Sequence, residues 1–241
     1  MKNTKYIILG ISALLCALVL GRAYTYKYRA QDRIVVTGLG ETTFESDLIV
    51  WKATLRIEAK DAASGYTRLE QNKQKVQKFL AEKGGGQEAV VFDFVQVDKQ
   101  YESVYTNGNW AGQRFTGYEL RQNISIESKD VDLIERISRE ISSLIAQGVS
   151  IESHAPLYYY TKLDDVKLGL IETASANARL RAEKIATHAG ASIGNVASVR
   201  LGVFQITGTN TDEEFSAGGS FNTSSRTKKA RITARIEYRV K

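Results

Sequence analysis

From Ile34 onward the spacing of apolar positions switches repeatedly between two residues and about 3.6. "RIVVTGLGE" predicts a short strand that ends in a Gly-rich turn. Ile49, Trp51, Ala53, Leu55, Ile57 and Ala59 then alternate with Val50, Lys52, Thr54, Arg56 and Glu58, the pattern of a long half-buried strand. Between Asp61 and Lys83 the residues Ala62, Tyr66, Leu69, Val76 and Leu80 recur at helical spacing, and Gly84-Gly85-Gly86 stops the run. The step from Leu69 to Val76 passes Asn72 or Lys73, so one polar side chain sits at the helix's inner edge. "AVVFDFVQV" reads as a strand with both faces partly apolar. Asn107-Gly108 turns it into "FTGYELRQNISIES", residues 115–128, and the two make a hairpin. In that second strand Tyr118, Leu120, Ile124 and Ile126 form one row, interrupted by Gln122. Glu119, Arg121, Asn123, Ser125 and Glu127 form the other, which faces water or pairs across strands.

The second half repeats the vocabulary. Asp130 is the N-cap of a helix with Ile134, Ile137, Ile141 and Leu144 on one face, ended by Gly148. "VSIESHAPLYYY" is a strand or an irregular edge segment, since Pro156 falls within it. A long helix runs from about Lys162 to Ala189, with Gly190 just past its end. Its inward face carries Leu163, Leu170, Ala174, Ala178, Ala182, Ile185 and Ala189, small enough for close approach to a sheet or another helix. "IGNVASVRLGVFQI" and "KKARITARIEYRV" are the last strands, and Gly208 to Ser225 between them reads as a mobile loop. The order β-β-α-β-β-α-β-α-β-β predicts an α+β fold. Its antiparallel or mixed sheets carry helices packed on one face, in two α/β lobes of one composite domain over residues 30–241.

Ahead of this domain, residues 1–29 have a different character. Tyr6 to Gly21, "YIILGISALLCALVLG", is apolar apart from Ser12 and follows two lysines, as in an export signal or an uncleaved signal anchor. A helix of that length reaches roughly 24 Å, short of a bilayer core of about 30 Å. Arg22 spoils the small-residue cleavage site at Gly21-Arg22-Ala23. Tyr24, Tyr26, Lys27, Tyr28 and Arg29 follow as an interfacial belt would. The expectation is therefore a hydrophobic N-terminal helix acting as an inner-membrane anchor, with residues 30–241 in the periplasm; a cleaved leader and a free periplasmic domain is the alternative. Leu15 before Cys16 is too large for a lipoprotein site. Cys16 is the one cysteine, so the exported part has no disulfide and no thiolate chemistry.

Charge changes meaning once it is located. The pI of about 9.2 and net charge of +6 suggest nucleic acid at first sight. Lys2, Lys5, Arg22, Lys27 and Arg29 all lie in the leader, which has no acid. Setting those five aside leaves 28 of the 33 bases against 27 acids, a net charge of +1. The domain is close to neutral, and no nucleic-acid partner is expected.

The succession of short features resembles the SIMPL-domain family of bacterial envelope proteins. They are "VVTGLGE", the helix holding Asn72, the hairpin strand around Tyr101 and Tyr105, Gly117-Tyr118, Asp132 early in the next helix, the Ala-rich helix leading into "AGASIGNVASV", and the C-terminal alternating strand. Together they cover residues 33–241. Ser46-Asp47 departs from the Pro-Asp of many members. The resemblance implies export to the periplasm or outer envelope, a tendency to self-assemble, and an association with envelope or oxidative-stress tolerance. An animal branch is associated with kinase signalling, a role the export leader argues against. The family has no established catalytic residues to carry over.

Candidate chemistry is thin. His188 lies near a helix C-terminus, where a cation meets the dipole favourably. His154 has Ser153 and Glu152 beside it, but adjacent strand residues point to opposite faces and make no triad. No His or Cys spacing of a transition-metal site occurs, and Asp164-Asp165 suits a helix start. "TNTDEE", residues 209–214, lacks the spacing of a calcium loop, and neither "GLGE" nor "GGG" opens a helix as a phosphate loop does. The two Asn-X-Ser/Thr sites, at Asn123 and Asn222, are chance matches in an envelope protein.

No catalytic, metal or cofactor residue is named, and no enzyme activity is expected. The interface candidates are Lys229, Arg231, Arg235 and Arg239, on one face of the last strand, and Tyr158, Tyr159 and Tyr160. Three consecutive tyrosines cannot share one buried face. The expected role is a non-enzymatic, self-associating exported protein. The alternatives are a monomeric adaptor that holds a protein partner through the basic or tyrosine surface, and, less favoured, a cell-envelope hydrolase.

Overall fold

A computed structural model describes residues 2–29, 32–85, 90–213 and 216–241. Helix α1 (Lys2–Arg29) precedes strands β1 (Arg33–Glu45) and β2 (Leu48–Ala59), helix α2 (Ala62–Glu82), and strands β3 (Val90–Thr106) and β4 (Asn109–Ser128). Helix α3 (Val131–Glu140) runs into a 3₁₀ helix (Ile141–Gln147). Short β5 (Ile151–Ser153) and β6 (Leu157–Tyr159) lead to α4 (Leu163–His188), β7 (Ile193–Leu201), β8 (Gln205–Gly208), β9 (Ser220–Phe221) and β10 (Thr227–Val240). This is the expected α+β succession, in two lobes. Gly86, Ala89, Glu214 and the domain start at residue 30 fall outside the described residues.

One lobe is a sheet in which β4 lies between β3 and β2, with β5 and β6 both pairing antiparallel to β2. Its inner rows are those read from the alternation. Trp51, Leu55, Leu120 and Ile124 are all fully buried, covered by Leu69, Val76 and Leu80 of α2 and by Ile134, Ile137 and Ile141 of α3 and the turn after it. Asp61 caps α2 by accepting from the Ser64 amide at 2.9 Å, and Asp130 caps α3 through the Leu133 amide at 3.0 Å. Asn72 is buried at the inner edge, where the spacing put a polar residue.

The other lobe joins the two ends of the domain. β1 pairs with β10 along its whole length, from Arg33↔Arg239 to Glu45↔Thr227. On the far side of β10, β7 and β8 each pair with one half of the strand, and β9 adds to β8 in parallel. Helix α4 covers this sheet with Leu170, Ala174, Ala178, Ala182 and Ala186.

Several expectations need correction. "VVTGLGE" is not a strand ending in a turn: β1 continues through both glycines to Glu45. The glycines serve contact. A Cβ on Gly38 would stand 2.0 Å from the Ala174 carbonyl oxygen, and one on Gly40 would stand 2.3 Å from that of Leu170. Glycines on the strand and alanines on the helix together set that close packing. The inner face of α4 steps from Ala182 to Ala186, one turn of four, and leaves Ile185 half exposed. "VSIESHAPLYYY" splits into β5 and β6 around His154-Ala155-Pro156, and "IGNVASVRLGVFQI" splits into β7 and β8. The segment 208–225 contains β9 and a hydrogen-bonded network, so it is not simply a loop.

The leader is helical, but among the described residues no helix is long and apolar enough to cross a membrane. The transmembrane anchor therefore lacks support. Leu14, Leu15, Leu18 and Leu20 are exposed on α1, as is Cys16.

Candidate interface

The four basic candidates of β10 divide into two pairs. Lys229 Nζ lies 2.5 Å from one Glu41 carboxylate oxygen, and Arg231 Nη2 lies 3.0 Å from the other. The Lys229 hydrogen bond, with Arg231 adding to it, holds the Glu41 carboxyl below the usual carboxylate range. This half of the face is internally neutralised. Arg235 and Arg239 are exposed and have no ion pair among the described residues. Arg235 stands directly opposite Arg200 of β7, and Arg239 opposite Arg33 of β1. Glu237, paired with Arg33 at 2.9 Å, is the one acid in this group. Like charges facing each other across strands are unfavourable. The distal half of the sheet thus keeps a surplus of guanidinium groups.

The three tyrosines lie along the seam between the lobes. Tyr158 is buried, and its hydroxyl donates to Glu135 Oε1 at 2.6 Å. Desolvation, helped by Glu135, pushes its phenol up to about 12. The Tyr158 amide donates to the Thr223 carbonyl at 2.7 Å. Tyr159 is half-buried and accepts from the Asp47 amide at 3.1 Å. Tyr160 packs its ring on Phe44 of β1, 4.7 Å between centroids. Burial removes Tyr158 from any outer surface, and all three ties are internal.

Arg226 completes the seam. Its carbonyl receives the Ser46 amide at 3.0 Å, and its guanidinium reaches Asp132 at 2.5 Å, Glu135 at 3.3 Å and Glu45 at 3.6 Å. It links the start of β10 to α3 of the other lobe.

A surface not singled out in the sequence is the far end of the β3–β4 hairpin. Strand β2 accompanies β4 only from Tyr118 to Ser128. Beyond Gly117, whose Cβ would meet the Ala59 carbonyl at 2.4 Å, the ribbon continues with no other strand paired to it among the described residues. Tyr101, Tyr105, Trp110 and Phe115 are all exposed there, Tyr105 and Trp110 each by 65%. Tyr101 faces Phe115 and Tyr105 faces Trp110 across the strands, so the aromatics form one row. Phe115 leads on to half-buried Tyr118, 5.2 Å between rings. Two of these tyrosines mark the family resemblance; that the row leaves the core depends on where β2 stops, which no local pattern reveals.

Lys228 was also missed. It is fully buried, and its ammonium donates to the carbonyls of Asn222 at 2.6 Å and Ser225 at 2.8 Å. Burial brings it down to about 8, opposed by Glu213. Glu213 in turn accepts from the Gly208 amide at 3.0 Å and from the Asn222 amide group. These contacts tie Glu213 to Gly208 and Asn222, and Lys228 to Asn222 and Ser225. His154 Nε2 lies 3.1 Å from Thr54 Oγ1 on an open sheet face, and His188 is exposed at the end of α4. No cluster of three or more His, Cys, Asp or Glu side chains able to hold a metal occurs among the described residues.

No curated protein matches the chain. The family model SIMPL, described as a protein of unknown function (DUF541), matches residues 34–240. That span takes in the described strands of both lobes apart from Arg33 at the start of β1, and the chain belongs to the SIMPL family.

Proposed function

We propose that this SIMPL protein is an exported, non-enzymatic domain that self-associates, and that its assembly supports envelope or oxidative-stress tolerance. The observation that carries the reading is the aromatic ribbon. A two-stranded hairpin is marginal in water on its own. This one presents four exposed aromatic side chains in a row, residue types favoured at protein interfaces. A second copy offers a matching row by symmetry, which is how a homodimer contact is commonly built. The two strongly perturbed groups, Tyr158 and Lys228, are held by structural hydrogen bonds, which favours a binding role over catalysis. The basic leader and apolar helix support export, with the domain in the periplasm.

Sedimentation of the folded domain, with and without Tyr105→Ser and Trp110→Ser, tests the assembly. A species larger than a monomer that reverts to monomer in the double variant is expected. A monomer at high micromolar concentration contradicts the reading. Cell fractionation with N-terminal sequencing of the mature protein tests export and decides between a retained and a removed leader.

A second reading has its own observation. The arginines at 33, 200, 235 and 239 suit an adaptor surface for an acidic protein partner. Partner capture that weakens steeply with salt and with Arg235→Glu supports it; capture indifferent to both counts against it.

A further inference from the structure

The inner row of β4 contains one polar residue, Gln122, exposed by only 4%. Its Nε2 donates to the Asp93 carbonyl at 2.8 Å, and its Oε1 is buried without a hydrogen-bond partner. An unsatisfied buried acceptor is destabilising because its desolvation is not repaid, and a leucine at 122 would simply continue the row. The position is used for something other than packing.

What Gln122 holds is a bulge. The β3–β4 register jumps from Phe92↔Ile124 to Val95↔Gln122, so Asp93 and Phe94 together oppose Asn123. Plain alternation from Phe92 would carry Phe94 to the inner face. The extra residue sends it to the outer one, where it is 83% exposed. It borders an open cleft of about 270 Å³ with Thr54, Arg56, Gln96, Arg121, Asn123 and Glu152.

The polar wall of this cleft is already fixed. Buried Glu119 draws in Arg56 Nε at 3.1 Å and Arg121 Nε at 2.5 Å, and Gln100 donates to its other oxygen at 2.9 Å. Gln96 donates to Asp98 at 3.0 Å, and Asp98 lies 3.6 Å from Arg121. Thr54 donates to Asn123 Oδ1 at 3.0 Å. Two guanidinium groups against Glu119, Asp98 and Glu152 leave no cationic surplus, so a phosphate or carboxylate gains no attracting field. An exposed ring beside planar amide, guanidinium and carboxylate groups suits a ligand with one apolar face and a rim of hydroxyls.

We infer that this sheet face binds a pyranose saccharide, stacked on Phe94 and hydrogen-bonded at its hydroxyls by Arg56, Arg121, Asn123 and Glu152. The site is separate from the aromatic ribbon and does not depend on self-association. Gln122 is a positioning residue that acts through the bulge.

Saturation-transfer NMR on the full chain in a sugar-free detergent tests it, with maltotriose, tri-N-acetylchitotriose and inorganic phosphate as probes. Saturable binding of at least one trisaccharide is expected. Phe94→Ala should weaken it about tenfold, the stacking contribution expressed as affinity, and Phe94→Tyr should restore it. Gln122→Leu should abolish binding while leaving thermal stability equal or higher, which a purely structural role would not produce. Emission of buried Trp51 monitors the fold in each variant. No trisaccharide binding at millimolar concentration, binding indifferent to Phe94→Ala, or binding of phosphate alone would each overturn the inference.

Discussion

Lys228 shows how much one buried residue sets at the residue scale. Its folded pKa of about 8 lies below the ordinary 10.5 because of burial. Between those values the unfolded chain binds a proton that the folded chain has released, so stability rises with pH across that window. Above about 10 the trend reverses. Tyr158, pushed up to about 12, then keeps a proton that the unfolded chain loses. Denaturant midpoints should therefore climb from pH 8 towards 10 and fall beyond it. In Lys228→Met the climb should vanish, and its persistence would assign it elsewhere. Gly38 makes the second residue-scale prediction. Alanine there would bring Cβ within 2.5 Å of the Ala178 amide nitrogen as well as onto the Ala174 carbonyl. Backbone cannot step aside as a flexible side chain can, so Gly38→Ala should cost about 3 kcal/mol in chemical denaturation. A neutral result would mean that α4 is not seated on β1 as described.

At the scale of elements, the pattern of the sequence was most informative where one face is buried and the other wet. β2, β4 and α3 kept the faces their spacing assigned, because burial of that row decides the register. In α2 Leu69, Val76 and Leu80 did so too, but Tyr66 is half exposed, and Gly65 is buried in its place, close against Leu120. The outer row of β4 was also legible in kind. Glu119 pairs with Arg56 on β2 and Arg121 beside it, although its own burial was not foreseen. The failures came where an element answers to something distant in sequence. Gly38 and Gly40 looked like a turn because their reason is a helix far along the chain, at Ala174 and Leu170. The Phe94 bulge was invisible for the same reason, although Gln122 was its trace in the pattern. The arrangement of α4 also protects an edge. Asn177 accepts from the Leu39 amide at 3.2 Å, and Arg181 donates to the Thr37 carbonyl at 3.0 Å. These are backbone groups on the side of β1 away from β10, and an uncovered strand edge recruits other strands. Replacing both residues by alanine should cost about 1 kcal/mol per hydrogen bond and raise light scattering on heating. Unchanged scattering would count against the edge role.

For the whole molecule the question is how two cores act as one domain. Strand β1 pairs with β10, much later in the chain, so the lobe built on them closes only once β10 has been made. The lobes then meet through Ser46, the tyrosine seam and Arg226. Of the consecutive tyrosines, Tyr158 is buried and Tyr159 and Tyr160 are half-buried along this seam, while the exposed aromatics lie on the ribbon. Arg226→Ala removes the guanidinium from Asp132, Glu135 and Glu45. The loss should be about 1 kcal/mol, with the calorimetric transition broadening or splitting as the lobes uncouple. One sharp transition would show that the backbone ties suffice.

The proposed self-association of this protein depends most directly on the ribbon as a contact between copies. The chain carries two tryptophans, Trp51 buried in a core and Trp110 exposed on the ribbon. Only Trp110 can change surroundings when copies meet. Its emission should shift to the blue as the concentration of the domain rises, and the shift should be lost in Tyr105→Ser. Emission that stays constant from the nanomolar to the high micromolar range would contradict the claim.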